Sequence, residues 1–444
     1  MTMSIHEPAR DLTVSGSFDV VVVGGGVAGV AAAVAAARNA VSVCLIDKQS
    51  AVGGLATLGN VTMWLPICDG RGRQVIGGLG EELMKLSVAD LRHDNPKAQF
   101  LGIPPCWRPG GDVEARKNVR CQAGFNPSAY MFALEKWVVD AGVRLLYDTR
   151  FSSVRREANR ISHLIVENKT GRFALACRAV VDATGDADVC FAAGEDTESL
   201  DTNVPCGWFY TLSGGELQLH QHSNPYSPFA TKEGAAGPFF RGDDGAQVTG
   251  QILHSRELIR AALAALRARH PGEDIQLLLP ATIACLRMTR RLVGRCTLAG
   301  KHMHQWCDDA IGLTGDWRKP GPVYAIPLRS LCGVRHANLL AAGRCISADT
   351  SVWDVTRAIP PCVVSGEAAG TAAALAVKHA ASDVDAVDVR VLQRQLQSQG
   401  VLLDPALVRP ADKIEKRETA KPWGAEPRDA VSEIENEAAK DGTP

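Results

Sequence analysis

Short apolar runs flank an alanine-rich segment near the start of the chain. Residues 18–23 and 41–46 are mostly apolar and β-branched, the pattern of strands buried on both faces of a parallel sheet. Residues 30–39 between them are rich in alanine and predict a helix. This order of strand, turn, helix and strand predicts the first half of an α/β fold with a parallel sheet.

The later pattern predicts a meander, a return to the same sheet and further helices. Strands are expected over residues 143–147, 151–156, 161–167, 172–177, 179–182 and 338–342. Helices are expected over residues 77–90, 127–141, 255–269 and 360–377. Short turns separate the three runs between residues 151 and 177, so we expect a three-stranded meander followed by a return strand.

Composition and charge narrow the class of protein. The chain has 444 residues, of which 46% are hydrophobic and 22% charged, as in ordinary soluble domains. A formal net charge of −1 argues against a nucleic-acid or anionic-membrane partner, because both favour a cationic excess. The 13 cysteines include no C-x-x-C pair, which argues against a disulfide scaffold, a zinc ribbon and a dithiol active site. No signal peptide or membrane span is apparent, so we expect a cytoplasmic protein.

The turn after the first strand has the form G-x-G-x-x-G. Gly24 permits the tight turn, Gly26 lets the backbone approach a pyrophosphate, and Gly29 lets the helix pack close to the sheet. The N-terminus of that helix offers free N–H groups to phosphates. Asp47 follows the second strand, where a carboxylate would accept hydrogen bonds from an adenosine ribose. The motif predicts a dinucleotide site, with a purely structural glycine turn as the alternative; NAD and FAD both use such a unit.

Several further segments together resemble one family. They are GGGVAG at 24–29, GGLAT at 53–57, FNP at 125–127, DATGDADV at 182–189, RRLVG at 290–294, IPLRSL at 326–331, AAGRCIS at 341–347 and residues 366–374. With them the chain resembles the bacterial FAD-dependent oxidoreductase family, related to the fumarate reductase flavoprotein and the heterodisulfide reductase flavin subunit. The resemblance implies an α/β fold with an FAD-binding, Rossmann-like parallel sheet of the glutathione-reductase type, a β-meander and an inserted smaller α+β substrate domain.

The resemblance also implies non-covalent FAD and the residues that would bind it. These are Gly24, Gly26, Val27, Ala28, Gly29, Asp47, Lys48, Gly53, Gly54, Leu55, Ala56, Thr57, Val154, Ala183, Thr184, Gly185, Asp186, Gly343, Arg344 and Pro361. The motif glycines would bind the pyrophosphate and Asp47 the ribose, although Lys48 departs from the carboxylate or arginine common at its place. Attachment of the flavin through Cys68 is the covalent alternative.

The other implied contacts follow the cofactor from its adenine to its ring. Val154 would meet the adenine, and residues 184–186 would lie near the pyrophosphate and the ribose. Residues 54–57 would run along the ribityl chain toward the isoalloxazine, and Gly343 would approach the same chain. The N-terminus of the helix at Pro361 would stabilise the negative charge of the reduced flavin.

The same resemblance, together with composition, divides the chain. We expect a flexible arm at 1–17 and a disordered tail at 410–444, where 15 of 35 residues are charged. The FAD domain would be discontinuous and built from 18–56, 125–194 and 335–379. The substrate domain would comprise 58–124 and 196–331, with the Gly- and Pro-rich stretch 200–250 as a lid or pocket wall.

Charged side chains after the AAGRCIS segment are candidates for chemistry. Residues 349–357 form a predicted loop near the flavin, in which Asp349 or Asp354 could act as a base. Arg357 could bind a substrate carboxylate. The alternative is that Asp354 and Arg357 pair with each other and cap the next helix.

A second cationic group and two histidine pairs are further candidates. Arg287, Arg290 and Arg291 are expected on the edge of a strand or a helix; in a helix their spacings would place them on one face, either as an anion-binding wall or as a solvated surface. His304 or His222 could donate a proton. Each belongs to an H-x-H pair without a third ligand at a usual spacing, so we expect no metal site.

These features favour a two-electron flavin oxidoreductase. We expect it to dehydrogenate or reduce a small polar, anionic molecule by hydride transfer at flavin N5. The alternatives are a flavin monooxygenase and an FAD-stabilised non-catalytic or tRNA-modification partner. The second redox partner stays open among O2, a quinone, NAD(P)H and a redox protein, and the chain could form a homo-oligomer.

Overall fold

The computed structural model describes residues 4–91 and 100–411. Its strands are β1 (Val14–Val23), β2 (Val43–Ile46), β3 (Met63–Trp64), β4 (Ala123–Gly124), β5 (Arg144–Leu146), β6 (Arg150–Glu157), β7 (Arg160–Asn168), β8 (Gly171–Asp182), β9 (Thr197–Ser199), β10 (Cys206–Ser213), β11 (Glu216–Ser223), β12 (Gln276–Pro280), β13 (Arg290–Leu292), β14 (Ala310–Gly315), β15 (Val323–Pro327) and β16 (Leu339–Ala341). Its α-helices are α1 (Val27–Arg38), α2 (Leu79–Ser87), α3 (Pro127–Asp140), α4 (Asp188–Ala193), α5 (Gly245–Arg269), α6 (Trp353–Thr356), α7 (Ile359–His379), α8 (Val389–Ser398) and α9 (Pro405–Val408). From residue 412 onward, the predicted tail lies outside the described residues.

The main sheet is parallel at its centre, with the spatial order β5-β2-β1-β8-β16. Val22 of β1 pairs with Leu45 on one side and with Val181 on the other, and all three side chains are fully buried. Burial on both faces explains why β1 and β2 are mostly apolar without alternation. The late strand expected near residues 338–342 joins this sheet as β16.

Strand β8 is longer than the sequence pattern suggested. We expected a meander strand and a separate return strand, but Gly171–Asp182 is continuous. Its first half pairs with antiparallel β7, which pairs with β6 to complete the predicted meander, and its last residues pair with β16. Arg178, the polar residue between the two apolar runs, is exposed and therefore does not interrupt the strand.

The first strand also begins earlier than expected. Val14 pairs with Ala174, and the Ala174 N–H donates to the Thr13 carbonyl at 2.9 Å. Residues 14–17, which we had placed in a flexible arm, therefore belong to the sheet. The extension forms because β8 is long enough to provide a partner for it.

Helices α1 and α7 pack closely against each other beside the sheet. A Cβ on Gly366 would lie 2.2 Å from the Ala28 carbonyl oxygen, and one on Gly370 would lie 2.0 Å from that of Ala32. Every residue of α7 from Ile359 to Val377 is buried. Glycine therefore allows a helix from the last quarter of the chain to contact the backbone of the first helix.

Residues 200–250, which we expected to form a lid or pocket wall, contain two strands of a second sheet. Strands β11, β10 and β12 form an antiparallel sheet, and α5 packs on β10. Helix α5 begins at Gly245 instead of residue 255, because the Asp244 side chain caps it by accepting from the Gln247 N–H at 2.9 Å. Its buried face includes Ile259, Leu263 and Leu266.

Helix α2 lies in the segment that we assigned to the substrate domain. It packs against α3 and α7, and its buried Leu79, Leu83 and Met84 belong to the main core. The boundary between an FAD domain and a substrate domain thus stays a prediction.

Candidate cofactor site and substrate pocket

The glycine turn between β1 and α1 is closed by contacts that only glycine tolerates. Gly24 has a φ of +102°, and a Cβ there would lie 2.5 Å from the Ala183 carbonyl oxygen. A Cβ on Gly29 would lie 1.7 Å from the Gly24 carbonyl oxygen. These two glycines are needed to form the turn, whatever the turn binds.

Gly26 is different, because nothing lies within 4 Å of a Cβ built on it. It is the N-cap of α1, with no side-chain cap and no acidic residue in the first turn. The N–H groups of Val27, Ala28 and Gly29 therefore have no acceptor within the helix. Open space at an uncapped helix N-terminus fits a pyrophosphate group.

Asp47 is held against this turn by the backbone. Its Oδ1 accepts a hydrogen bond from the Gln49 N–H at 2.6 Å, and its Oδ2 accepts from the Gly25 N–H. Burial raises the pKa of Asp47, and the two backbone hydrogen bonds oppose that rise. The neighbouring Lys48 is exposed. The ribose contact of Asp47 stays a prediction.

The segment at residues 53–57 lies directly beside the glycine turn. The Gly53 N–H donates to the Gly25 carbonyl at 2.7 Å, and a Cβ on Gly54 would lie 3.1 Å from Gly26 Cα. Leu55 and Ala56 belong to a single 3-10 turn, Gly54–Ala56. The Thr57 hydroxyl donates to the Val52 carbonyl at 2.7 Å, so this threonine stabilises the loop itself.

Gly343 lies where the N-termini of α1 and α7 converge. It has a φ of +83°, and a Cβ there would lie 2.8 Å from Ala28 Cβ. Its N–H donates to the Ser365 hydroxyl of α7 at 2.9 Å. Helix α7 also lacks a side-chain cap, and Pro361, which has no N–H, suits its first turn. Two uncapped helix N-termini therefore meet at the end of β16.

Asp182 determines the turn after β8. Its buried Oδ1 accepts from the Thr184 N–H at 3.1 Å and from the Thr184 hydroxyl at 2.7 Å, and its Oδ2 accepts from the Cys190 N–H at 2.8 Å. Asp182 had no predicted role. Its position at the end of an apolar strand is the sequence feature that could have indicated a carboxylate that stabilises the turn.

Arg344 connects that turn to two other segments. Its Nη2 donates to Asp186 Oδ1 at 2.9 Å, its Nε to the Gly185 carbonyl at 3.3 Å, and its Nη1 to the Leu286 carbonyl at 2.8 Å. Burial raises the pKa of Asp186, and the positive charge of Arg344 opposes that rise. Val154 lies half-buried in β6, and its adenine contact stays a prediction.

Two of the predicted arginines meet at one aromatic ring. The guanidinium carbons of Arg287 and Arg357 lie 4.1 and 5.6 Å from the ring centroid of Tyr226. Arg357 Nη2 also donates to the Tyr226 hydroxyl at 3.2 Å. Tyr226 was not among the predicted site residues. The sequence feature that could have indicated it is an aromatic residue within the Gly- and Pro-rich stretch 200–250.

Arg287 has no carboxylate partner among the residues that the structure describes. Its Nη2 donates to the Ser223 hydroxyl at 2.9 Å and lies 3.4 Å from Cys206 Sγ. Its backbone N–H donates to Asn203 Oδ1 at 2.7 Å, which holds the main chain at this point. This half-buried cation is therefore available to an anion.

Asp354 and Arg357 pair with each other, as the sequence alternative proposed, but they do not cap the next helix, because α7 has no side-chain cap. Asp354 is fully buried, and its Oδ1 accepts from Arg357 Nε at 2.8 Å and from Arg357 Nη2. Its Oδ2 is buried and has no hydrogen-bond partner in the described part of the chain. The segment that we expected to be a loop forms the single helical turn α6 here.

The helical alternative for the three arginines is wrong, because residues 290–292 form strand β13. Arg290 Nη2 pairs with Asp188 at 2.6 Å, and Arg291 Nη2 pairs with Glu198. Carboxylates thus neutralise Arg290 and Arg291, and of the predicted anion-binding wall Arg287 remains.

Asp349 and His304, two other candidates for chemistry, make hydrogen bonds away from Tyr226. Asp349 Oδ1 accepts from the Ser351 N–H at 3.0 Å. His304 Nδ1 lies 2.7 Å from the Val408 carbonyl oxygen and so contacts helix α9. Neither contact involves Tyr226 or the two arginines beside it.

Residues 4–91 and 100–411 contain no candidate metal centre, no membrane-spanning helix and no disulfide. No group of three or more His, Cys, Asp or Glu side chains in these residues is arranged to hold a metal ion. Their helices include none with the length and apolar character needed to cross a membrane. The thirteen cysteines are all unbridged.

The sequence matches one family model over most of its length. The model, described as FAD dependent oxidoreductase, aligns with residues 19–203 and 230–396. No curated protein matches the sequence significantly.

Solved structures similar to this chain have low sequence identity to it. A geranylgeranyl bacteriochlorophyll reductase-like protein from Thermoplasma acidophilum is 14% identical, with 87% of this chain and 84% of that chain covered and a TM-score of 0.43. The p-nitrophenol 4-monooxygenase of Pseudomonas putida DLL-E4 is 12% identical, with coverages of 86% and 85% and a TM-score of 0.44. An open flavocytochrome c3 fumarate reductase is 14% identical, with coverages of 82% and 79% and a TM-score of 0.40.

Proposed function

This chain belongs to the FAD dependent oxidoreductase family, and from that premise we propose that it dehydrogenates, or in reverse reduces, a small anionic organic molecule. The substrate would lie beside Tyr226, with its anionic group bound by Arg287. The bound FAD supplies a two-electron hydride acceptor for such a reaction.

The residues that fit the cofactor are those around the open space at Gly26. The uncapped N-terminus of α1 would bind the pyrophosphate, and Gly54 would border the same space from the other loop. Gly343, which lies where the N-termini of α1 and α7 converge, would approach the ribityl chain. No covalent bond is needed in this arrangement, so FAD would be released by acid.

The observation that supports an anionic substrate is the charge on Arg287. A half-buried guanidinium favours an anionic partner; no carboxylate of the described chain provides one, and the contact with the Cys206 sulfur involves only Arg287 Nη2. Since one of its nitrogens bonds to Ser223, the guanidinium keeps other N–H groups for a substrate carboxylate.

Arg357 and Asp354 would position the substrate and move a proton. Arg357 is charge-balanced by Asp354 and holds the Tyr226 hydroxyl, so it orients the aromatic ring. Asp354 Oδ2, buried and unpartnered in the described residues, is the oxygen that would accept a substrate proton.

Anaerobic bleaching of the bound flavin tests this proposal. Purified protein would be mixed with small hydroxy, amino and unsaturated acids and with the matching neutral amides. We expect carboxylates to bleach the flavin band and the amides of the same compounds to fail. Equal bleaching by acids and amides would contradict the anionic substrate.

Arg287→Ala should then raise KM for the bleaching acid roughly thirty-fold or more, because a desolvated ion pair would lose one partner. FAD content should not change. Arg256→Ala, at an exposed position of α5, is the matched control and should behave as wild type. An unchanged KM in Arg287→Ala would overturn the assignment of this residue.

A further inference from the structure

Two cysteines that are distant in sequence touch beside Arg287. Cys206 begins β10, and Cys285 follows β12, which pairs with β10 so that Phe209 lies opposite Pro280. The antiparallel pairing carries the chain back past Cys206. The two thiols are near enough for each to shift the pKa of the other, and both residues are 5% exposed.

The surroundings of Cys206 favour a thiolate. Arg287 Nη2 lies 3.4 Å from its Sγ and also donates to the Ser223 hydroxyl at 2.9 Å. The neighbouring Cys285 thiol lowers the pKa of the Cys206 thiol, and the Arg287 charge lowers it further, against the effect of burial. The pKa of Cys285 is raised by the neighbouring Cys206 sulfur and by its own burial. The pair therefore favours one thiolate and one thiol.

Two contacts connect this pair with the candidate cofactor site. Cys285 Sγ lies 3.7 Å from the carbonyl oxygen of Gly59, which follows the segment 53–57. The Leu286 carbonyl, one residue further on, accepts the hydrogen bond from Arg344 Nη1. The dithiol thus lies next to both loops that border the space assigned to FAD.

Another pair of neighbouring cysteines shows that proximity is not sufficient. Cys190 and Cys345 are fully buried near Asp182. Burial first, and then the negative charge of Asp182, raises the pKa of both thiols. Such thiols stay protonated and unreactive, whereas Cys206 has a cation beside it.

We propose that Cys206 and Cys285 form a dithiol–disulfide couple that exchanges two electrons with the bound FAD. In the oxidative direction the Cys206 thiolate and the Cys285 thiol form an S–S bond, and Cys285 loses its proton. The two electrons and that proton pass to oxidised FAD, which becomes reduced. Both thiols are too buried for direct exchange with a folded protein disulfide, so the flavin is the oxidant within reach. This couple requires FAD but not the substrate chemistry proposed above.

Mass spectrometry of the apoprotein tests the couple without cofactor or activity. Wild-type protein would be equilibrated in dithiothreitol buffers of increasing oxidation, quenched with acid, alkylated and digested. We expect one peptide pair, linked through Cys206 and Cys285, to appear with a two-electron dependence on potential. Its absence at every potential, or a link through other cysteines in its place, would overturn the proposal.

Anaerobic dithionite titration of the preoxidised holoprotein counts the electrons. Wild type should take up about two more electrons per FAD than Cys206→Ser or Cys285→Ser. Cys307→Ser, at a half-buried cysteine away from this pair, is the control and should match wild type. Equal uptake by wild type and both variants would overturn the couple. Substrate-dependent bleaching in these variants would still report on the proposed function, so the two failures are distinguishable.

Discussion

At the scale of single residues, the turn after β1 contains two glycines that the fold needs and one, Gly26, that it does not need. Substitution at Gly24 or Gly29 would place a Cβ against the backbone, at 2.5 and 1.7 Å from a carbonyl oxygen. Gly26 has an ordinary extended conformation, with a φ of −64°, and open space in front of it. We therefore expect a larger side chain at Gly26 to prevent cofactor binding without disturbing the fold.

Gly26→Val should produce a folded protein without FAD. The valine side chain would occupy the space assigned to the pyrophosphate, and we expect FAD content to fall at least ten-fold, as measured by flavin absorbance per chain. The far-ultraviolet circular dichroism of the apoprotein should equal that of wild-type apoprotein.

Gly245→Val provides the matched control, because nothing lies within 4 Å of a Cβ at this exposed position either. It should retain stoichiometric FAD. A folded Gly26→Val protein with wild-type FAD content would show that the pyrophosphate binds elsewhere.

Single-residue chemistry could be predicted from the sequence only where the backbone determines it. The roles of Gly24 and Gly29 could be predicted from the G-x-G-x-x-G motif, because both positions are too crowded for any side chain. The contacts of Arg287 with Tyr226 and with Cys206 could not be predicted, because tertiary structure brings these residues together: Cys206 and Arg287 are 81 residues apart in sequence.

At the scale of elements, the contact between α1 and α7 depends on small residues. The closest approaches are at Gly366 and Gly370, where the helices leave no room for a methyl group. In an isolated helix, replacing glycine by alanine stabilises by about 1 kcal/mol. Steric overlap at this contact opposes that gain.

Gly370→Ala should therefore destabilise the protein despite its better helix propensity. A Cβ 2.0 Å from the Ala32 carbonyl oxygen forces the helices apart, and we expect a loss of about 2 kcal/mol or more in the free energy of unfolding. Urea unfolding of the apoprotein measures this loss. Gly245→Ala, in the first turn of α5, should change stability by less than about 0.5 kcal/mol. A stabilised Gly370→Ala protein would refute the close helix contact.

Element types followed from the sequence where the periodicity was long, as in α3 and the meander. The predicted element type was wrong where pairing with another strand determines the structure. The spacing of Arg287, Arg290 and Arg291 fits a helical face, but β9 provides hydrogen bonds that hold residues 290–292 as a strand. Likewise, the exposed Arg178 made β8 look like two separate strands in the sequence, although Gly171–Asp182 is continuous.

At the scale of the whole molecule, one buried carboxyl group links stability to pH. Burial raises the pKa of Glu367 on α7 from 4.5 to about 8, and the hydrogen bond from the Leu79 N–H opposes that rise only in part. The folded protein thus keeps a proton that the unfolded chain releases above pH 4.5. Stability is then highest below this pH, as far as Glu367 contributes, and falls as pH rises toward 8.

Glu367→Gln should remove this pH dependence. Between pH 5 and pH 8 the wild-type free energy of unfolding should fall by up to about 1.4 kcal/mol per pH unit relative to the variant. Chemical unfolding at a series of pH values measures the difference, and Glu257→Gln at an exposed site is the control. Parallel profiles for wild type and Glu367→Gln would contradict the raised pKa.

The general fold and the cofactor could be predicted because each depends on segments with recognisable motifs. The substrate pocket could not, since its residues come from different parts of the chain: Tyr226 follows β11, Arg287 precedes β13, and Arg357 precedes α7. No local pattern records which of these segments become neighbours. The same holds for Asp354, whose pairing with Arg357 is local but whose unpartnered oxygen depends on tertiary packing.

The close contact of α1 with α7 also has a consequence for biosynthesis. Helix α1 leaves the ribosome early, yet its partner α7 ends only at His379. Until then the alanine-rich surface of α1 lacks its cover, and β8 lacks its neighbour β16 along its last three residues. The nascent chain cannot complete the candidate cofactor site, which includes Gly343 and the N-terminus of α7, until these late segments have been made. We therefore expect flavin capture to follow the synthesis of α7, and the unfinished chain to be the state most exposed to aggregation and to chaperones.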